Sequence, residues 1–561
     1  MNIMRFSFSV LLILSLLPCV FLNGQVDTVW VRRWTSPGAE SDWAYALALD
    51  NTGHCYVTGK TNNAGTNDDW TTIKYLPDGD TAWIRNFVGA GSANERASSI
   101  AIGPSDNVYI TGYTMSSSAG DYLTIKYHPD GDTAWTRRYN GTGDSYDFAN
   151  WICVDNEENV YVTGYSRGLS YQNDIVTVKY DSSGTQQWVA RFNGAGNYND
   201  EGYKVIADNN GYVYVAGTAN PYSSGTRYDC VTIKYDAATG DTAWVRTYNS
   251  PVDSTDIARD IEVDAEGNVY VTGSSRNAGT YGDIITIQYD SLGVEQWAVL
   301  YNNPDTSGND AGYGIEVGPS GAVYVAGQSQ GYGTGMDIVV LKYDPAGTFQ
   351  WASRYNGLSN DYDTPSDQDG GKCMAIDQYE NIYVVGCSRS ATTWYDFITL
   401  AFNSDSTLKW AATYNSCDST DWALAVATDD SGNVYTAGRS IGLNTYYDMA
   451  TVKYWSQVSI NESKQYPVHD FVLDIAPNPC RNTARIVLPG AHIMQNTQLR
   501  IYDITGRLIK SLAVSSQNAA QPAVVYWDAT NSNDEKVAPG VYFCVVDLAG
   551  DHLQKKIVLV K

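Results

Sequence analysis

Residues 158–180 read ENVYVTGYSRGLSYQNDIVTVKY, and the first seven decide the fold. Val160, Tyr161, Val162 and Thr163 lie between Asn159 and Gly164, a β-favouring run bounded by turn formers. The phrase returns as CYVTG (55–59), VYITG (108–112), VYVAG (213–217), VYVTG (269–273), VYVAG (323–327), IYVVG (382–386) and VYTAG (434–438). Its closing glycines step by 53, 52, 53, 56, 54, 59 and 52 residues, a period that calls for a propeller or a β-solenoid.

Each unit carries four strand-like segments. In the third they are 147–155, 160–164, 174–180 and 186–192, with two short turns alternating with two longer loops. Four antiparallel strands per repeat make a propeller blade; a solenoid rung would be shorter. Trp recurs in the fourth strand at 83, 135, 188, 244, 297, 351 and 410. The eighth, Trp30, precedes any first strand, and the last unit ends at Trp455 with no fourth strand after it. The expected fold is therefore all-β: an eight-bladed β-propeller closed by an N-terminal outer strand, which leaves no open seam.

On these residues the repeats resemble the secreted bacterial beta-propeller repeat family, of the type known from seven-bladed propellers, over about 28–455. DAATGDTAW (236–244) also looks like the Trp-docking motif of quinoprotein dehydrogenases. That motif implies blade-to-blade packing and no quinone: the adjacent cysteine pair of that family is missing here.

Function is expected where repeats disagree. The loops after the second strands, such as YSRGLSYQN and CSRSATTWY, mix aromatic anchors with small hydrogen-bonding residues. Arg167, Tyr171, Arg227, Tyr228, Arg276, Tyr281, Arg389, Trp394, Arg439 and Tyr446 are the candidate ligand-binding residues. An Asp opens every third strand: Asp69, Asp121, Asp174, Asp229, Asp283, Asp337, Asp396 and Asp448. Such regular repetition reads as scaffold, with each Asp capping backbone N–H groups of its loop. No HExxH, P-loop, EF-hand or CxxC is present, so no metal, no cofactor and no catalytic residue is assigned. A glycosidase needs only two carboxylates, which abound, so a secreted carbohydrate-active enzyme stands as the alternative to a binding protein for a glycan or protein. The net charge of −26, with no basic stripe, excludes nucleic acid as a partner.

The ends carry addresses. Residues 1–24, with Arg5 before an apolar run, read as a signal peptide, and no transmembrane span is expected in the mature monomer. Residues 25–456 form the propeller, 457–470 a linker and 471–561 a second domain of alternating strands, an immunoglobulin-like β-sandwich. This last segment looks like the type A sorting domain of the type IX (Por) secretion system. Pro477, Asn478, Pro479, Gly506, Arg507, Gly540 and Lys561 carry the likeness, which implies handling by that machinery and a secreted or surface-attached protein. Of eight cysteines beyond Cys19, Cys387–Cys417 and Cys480–Cys544 are the pairs that export could join.

Overall fold

The computed structural model describes residues 26–38, 41–62, 68–89, 94–115, 119–169, 172–221, 227–357, 362–366, 371–389, 394–417, 419–442, 445–455, 474–476, 480–481, 483–488, 498–503, 507–514, 523–532, 535–548 and 551–560. The expected signal peptide lies outside them. Among the described residues every regular element is a β-strand, and no helix is long and apolar enough to cross a membrane. The chain divides into two compact units, Met1–Val458 and Ser459–Lys561.

The first unit holds eight antiparallel sheets among its described residues. In the third, Asp147–Val154, Val160–Arg167, Asn173–Tyr180 and Gln186–Phe192 pair in chain order. The seventh has five strands, because its first strand is broken into Asp363–Pro365 and Met374–Ile376, both paired to Ile382–Ser388. That break accommodates the insertion that lengthens the glycine step to 59. In the eighth sheet the fourth place is filled by Asp27–Trp34, which runs antiparallel to Tyr447–Trp455, Asp27 opposite Trp455 and Trp34 opposite Met449.

The core lies between sheets. Each of eight hydrophobic clusters spans two successive sheets, and one joins the eighth to the first through Trp30, Tyr435, Leu47 and Ile73. The repeated Trp and Lys bond across these seams to a carbonyl in the next sheet's turn. Trp135 Nε1 donates to Ser182 O at 3.1 Å, and Lys74 Nζ to Pro129 O at 3.0 Å. Trp30 and Lys453 make the same bonds from the eighth sheet to Pro77 O of the first, at 3.1 and 3.0 Å.

Seven first strands share one irregularity, a bulge at the third residue after the opening acid: Tyr45, Ser98, Asn150, Tyr203, Arg259, Tyr313 and Leu424. The bulge pushes the strand's carbonyl onto its neighbour. A Cβ on Gly164 would overlap the Phe148 carbonyl oxygen, and the glycine of every repeat meets the equivalent oxygen. The invariant glycine and the bulge are therefore one feature.

In the second unit a sheet of Asp474–Ala476, Ala484–Leu488 and Ala523–Trp527 and one of Leu508–Ala513, Gln498–Asp503, Gly540–Leu548 and Asp551–Leu559 share a core around Trp527, Tyr542 and Cys544. The eight cysteines are thiols, so neither proposed disulfide forms. Cys387 is buried in its strand while Cys417 is exposed; Cys480 and Cys544 fill the core of the second unit as apolar side chains.

Candidate functional site

First-strand residues of five sheets, with residues beside the broken strand of a sixth, converge on a cavity of about 430 Å³, within the roughly 300–1,000 Å³ of small-molecule sites. Sheets two to six contribute Arg96 and Ser98, Phe148, Asn150 and Trp151, Glu201, Tyr203 and Lys204, Arg259 and Asp260, and Tyr313; Ser366 and Lys372 come from the seventh, beside its broken strand. The bulge explains the convergence. It turns Ser98, Asn150, Tyr203, Arg259 and Tyr313 out of the ladder, and each lines the cavity.

One wall is aromatic. Phe148 lies edge-on to Tyr113, centroids 4.4 Å apart, and 5.3 Å from Tyr165. Cations lie over rings: Arg96 over Tyr45 at 4.2 Å, Arg259 over Tyr313 at 4.9 Å and Lys204 over Trp151 at 5.2 Å. The floor is ionic. Lys204 pairs with Asp260, whose Oδ2 also accepts the Ile315 N–H at 3.0 Å. Lys372 Nζ lies 2.5 Å from Glu316 Oε1 and keeps 39% of its side chain exposed. Burial and the Glu316 charge push the Glu262 carboxyl up, against Lys204 and Lys372. Burial also raises Glu201, which accepts from Asn173 Nδ2 at 3.3 Å and Tyr203 OH at 3.4 Å.

Sequence reasoning looked to the loops and passed over these residues. The signal was present: between the opening acid and the Ile, Leu or Val five residues on, seven first strands keep a small second residue and vary the first and third.

The loop candidates are dispersed. Arg227, Arg276 and Tyr281 line an open depression of about 760 Å³ between neighbouring sheets, and Arg227 pairs with Asp253 at 2.7 Å. Tyr228 is half-buried and its carbonyl accepts the Asp256 N–H at 2.7 Å. Arg167 lies over Tyr146 at 5.3 Å; Tyr171 falls outside the described residues. Arg389 donates its backbone N–H to Tyr362 O at 3.2 Å, while Trp394 and Tyr446 are exposed. Arg439 stands within a strand, Asn433–Ile441, its guanidinium over Trp43 at 3.7 Å and Trp422 at 4.8 Å.

The third-strand Asp residues are buried, and several bond to side chains. Arg138 pairs with Asp121, Arg191 with Asp174 at 2.7 Å, Arg354 with Asp337 at 2.8 Å and Arg33 with Asp448 at 2.5 Å. Asp283 accepts from Thr280 Oγ1 at 3.1 Å. Asp69, Asp229 and Asp396 are buried at the same place. Backbone N–H groups of the loops go instead to the acid opening each first strand; Asp200 takes those of Gly194 and Asn220 at 2.5 and 2.8 Å. Among the described residues no three His, Cys, Asp or Glu side chains group as a metal site. In the second unit Arg507 bonds Asp503 at 3.0 Å and Gly540 opens a strand. Pro477, Asn478, Pro479, Gly506 and Lys561 lie outside the described residues.

Fold and C-terminal segment together define a class: an exported protein built of propeller-type repeats with a C-terminal address. Residues 474–561 match the secretion system C-terminal sorting domain and residues 187–221 the beta-propeller repeat. The chain thus carries the type IX sorting domain and is delivered to the cell surface or secreted. No curated protein matches it. Among solved structures it is similar to PorZ, a surface component of the type IX secretion system of Porphyromonas gingivalis, at 13% identity and TM-score 0.40, over 95% of this chain and 70% of that one. Quinohemoprotein alcohol dehydrogenase from Comamonas testosteroni is 11% identical with TM-score 0.48, over 82% and 81%. Polysaccharide lyase Uly1 is 11% identical with TM-score 0.40, over 78% and 100%.

Proposed function

We propose that this is a glycan-binding protein of the cell surface or surroundings, without catalysis. Its eight sheets are the blades of a propeller closed by Asp27–Trp34, its second unit is an immunoglobulin-like sandwich, and its ligand enters the cavity among the first strands. One observation carries this reading: aromatic rings and anchored hydrogen-bonding groups from six sheets meet in one cavity. Sugar rings present apolar faces that rest on aromatic rings, and hydroxyl groups that need fixed donors and acceptors. Asn150, held to Gly202 O at 2.8 Å, is such a fixed group.

The alternative, a carbohydrate-active enzyme, draws on the two carboxylates of the same cavity, Glu201 and Asp260. Asp260 is held by Lys204 and two backbone N–H groups, which favours a structural role. A glycan array with product analysis tests both. Binding without turnover, weakened by Tyr203→Ala and Tyr313→Ala but not by Trp394→Ala, is the expected result. Released product would establish the enzyme. Loss of binding only with Trp394→Ala, or with Arg276→Ala, would return the site to the loops.

A further inference from the structure

We infer that the saccharide taken by this cavity is acidic, and that Arg259 reads its carboxylate or sulfate group. The inference rests on the glycan-binding reading and sharpens it to a ligand class.

The chain carries a net charge of −26, and its long-range field disfavours anions. The cavity departs from that average: four basic side chains line it against two carboxylates. Two of the four are neutralised locally, Lys204 by Asp260 and Lys372 by Glu316. Arg259 differs. Its Nε is buried with no hydrogen-bond partner among the described residues, and its guanidinium has no ion pair there. Its contact is the Tyr313 ring, 4.9 Å away. Stacking on a ring occupies the face of a guanidinium and leaves its edge, with a fork of N–H donors that matches a carboxylate or sulfate. With Nε enclosed, the terminal nitrogens are the donors left to meet a ligand, and an anionic group gives the unpaired guanidinium charge-assisted bonds there.

The backbone explains why this side chain points inward. Arg259 is the bulged residue of strand Ile257–Val263, with Ala258 opposite Gly273 and Asp260 opposite Thr272. The same place holds Tyr203 and Tyr313 in the flanking sheets. The position that supplies stacking rings to the neighbours supplies a cation here.

The experiment is calorimetric titration of the full chain with three hexasaccharides: one of uronic acid units, one sulfated and one of neutral glucose units. The acidic ligands are expected to bind at least about tenfold more tightly than the neutral one, with affinity falling as salt is raised. The two acidic arms decide between carboxylate and sulfate. Arg259→Gln is expected to remove the preference, and Arg259→Lys to retain part of it. Unchanged thermal melting shows that each variant is folded, and the salt dependence of the unaltered protein stands should one fail to fold. Equal, salt-independent binding of acidic and neutral ligands overturns the inference and leaves the glycan reading intact. No binding of any of the three overturns both.

Discussion

Glu158 illustrates how a single residue repairs a departure from the repeat. In the first turn of most sheets an Asp takes two backbone N–H groups and a tyrosine hydroxyl; Asp155 bonds Glu157 N, Asn159 N and Tyr161 OH at 2.9, 2.8 and 2.9 Å. In sheets two and six Gly103 and Gly318 stand in its place. Tyr109 and Tyr324 are satisfied instead by Glu158 and Glu380 of the following sheets, at 2.9 and 2.7 Å. Both glutamates sit at φ near +60°, where Gly53, Gly211, Gly267 and Gly432 stand in other sheets, a backbone that costs a side-chain-bearing residue about 1–2 kcal/mol. Burial opposes the Glu158 charge, but bonds from Lys126, Asn107 and Tyr109 overcome it and hold the carboxyl down to about 2. With a folded value below the ordinary 4.5, its stabilisation is present above that pH and is lost as pH falls toward 2. Glu158→Gly should cost about 1–3 kcal/mol in urea unfolding at pH 7, less as the pH is lowered through that window. Gly103→Asp alone should also destabilise, because its Cβ meets Tyr109 and Glu158. Together they rebuild the arrangement of Asp208 and Gly267, an Asp on the tyrosine of its own sheet and a glycine in the next sheet's turn, and the double variant should return to within about 0.5 kcal/mol of the parent. A double variant as unstable as the sum of the singles would sink this account.

At the scale of the sheet, third and fourth strands hold a recurring ion pair that half the repeats lack. Opposite the residue two after the Asp stand Arg138, Arg191, Arg354 and Arg33 in sheets two, three, six and eight. Asn86, Thr247, Leu300 and Thr413 occupy the place in sheets one, four, five and seven. Asp229, in sheet four, is pushed up to about 6 by burial and then by the charges of Asp256 and Asp253. Its folded value lies above the ordinary 3.8, so its contribution is fully present below that pH and is lost as pH rises through about 6. Thr247→Arg supplies the missing cation in the register that joins Arg191 to Asp174. Chemical denaturation should show a gain of about 1–2 kcal/mol at pH 7.5 and a smaller gain at pH 5. No gain at the higher pH would mean that strand register alone does not reproduce the pair.

Across the whole first unit stability is distributed over like interfaces, and the chain's N-terminal segment serves two of them, placing Trp30 between sheets eight and one and Val26 and Val31 between sheets seven and eight. Removing residues 27–34 takes away the strand paired to Tyr447–Trp455 and the Trp30 bond to Pro77. The bared edge offers unpaired backbone groups to other chains. The truncated protein should lose its single cooperative transition in calorimetry and should associate, as seen by light scattering. An unchanged melting profile in a monomeric sample would refute the closure proposed above.

What the sequence by itself determined is whatever a repeat writes locally and in phase. Four strands per unit, the displaced Trp30 and the sorting segment are legible because turn residues, β-branched runs and motif spacing act within about ten residues. The loop candidates were legible as composition, yet composition does not bring Arg389 to Arg227 or keep Arg439 out of a strand. The cavity was decided by tertiary structure. The first strands of sheets two to six contribute one to three residues each, separated by about fifty positions from the next contribution, and only the assembly of sheets makes Tyr203, Arg259 and Tyr313 neighbours. A bulge turned those side chains inward, and a bulge depends on pairing with the next strand, which no single segment records. The partners of the repeated Asp were hidden for the same reason. Arg191 lies 17 residues from Asp174, and strand register, not spacing, joins them.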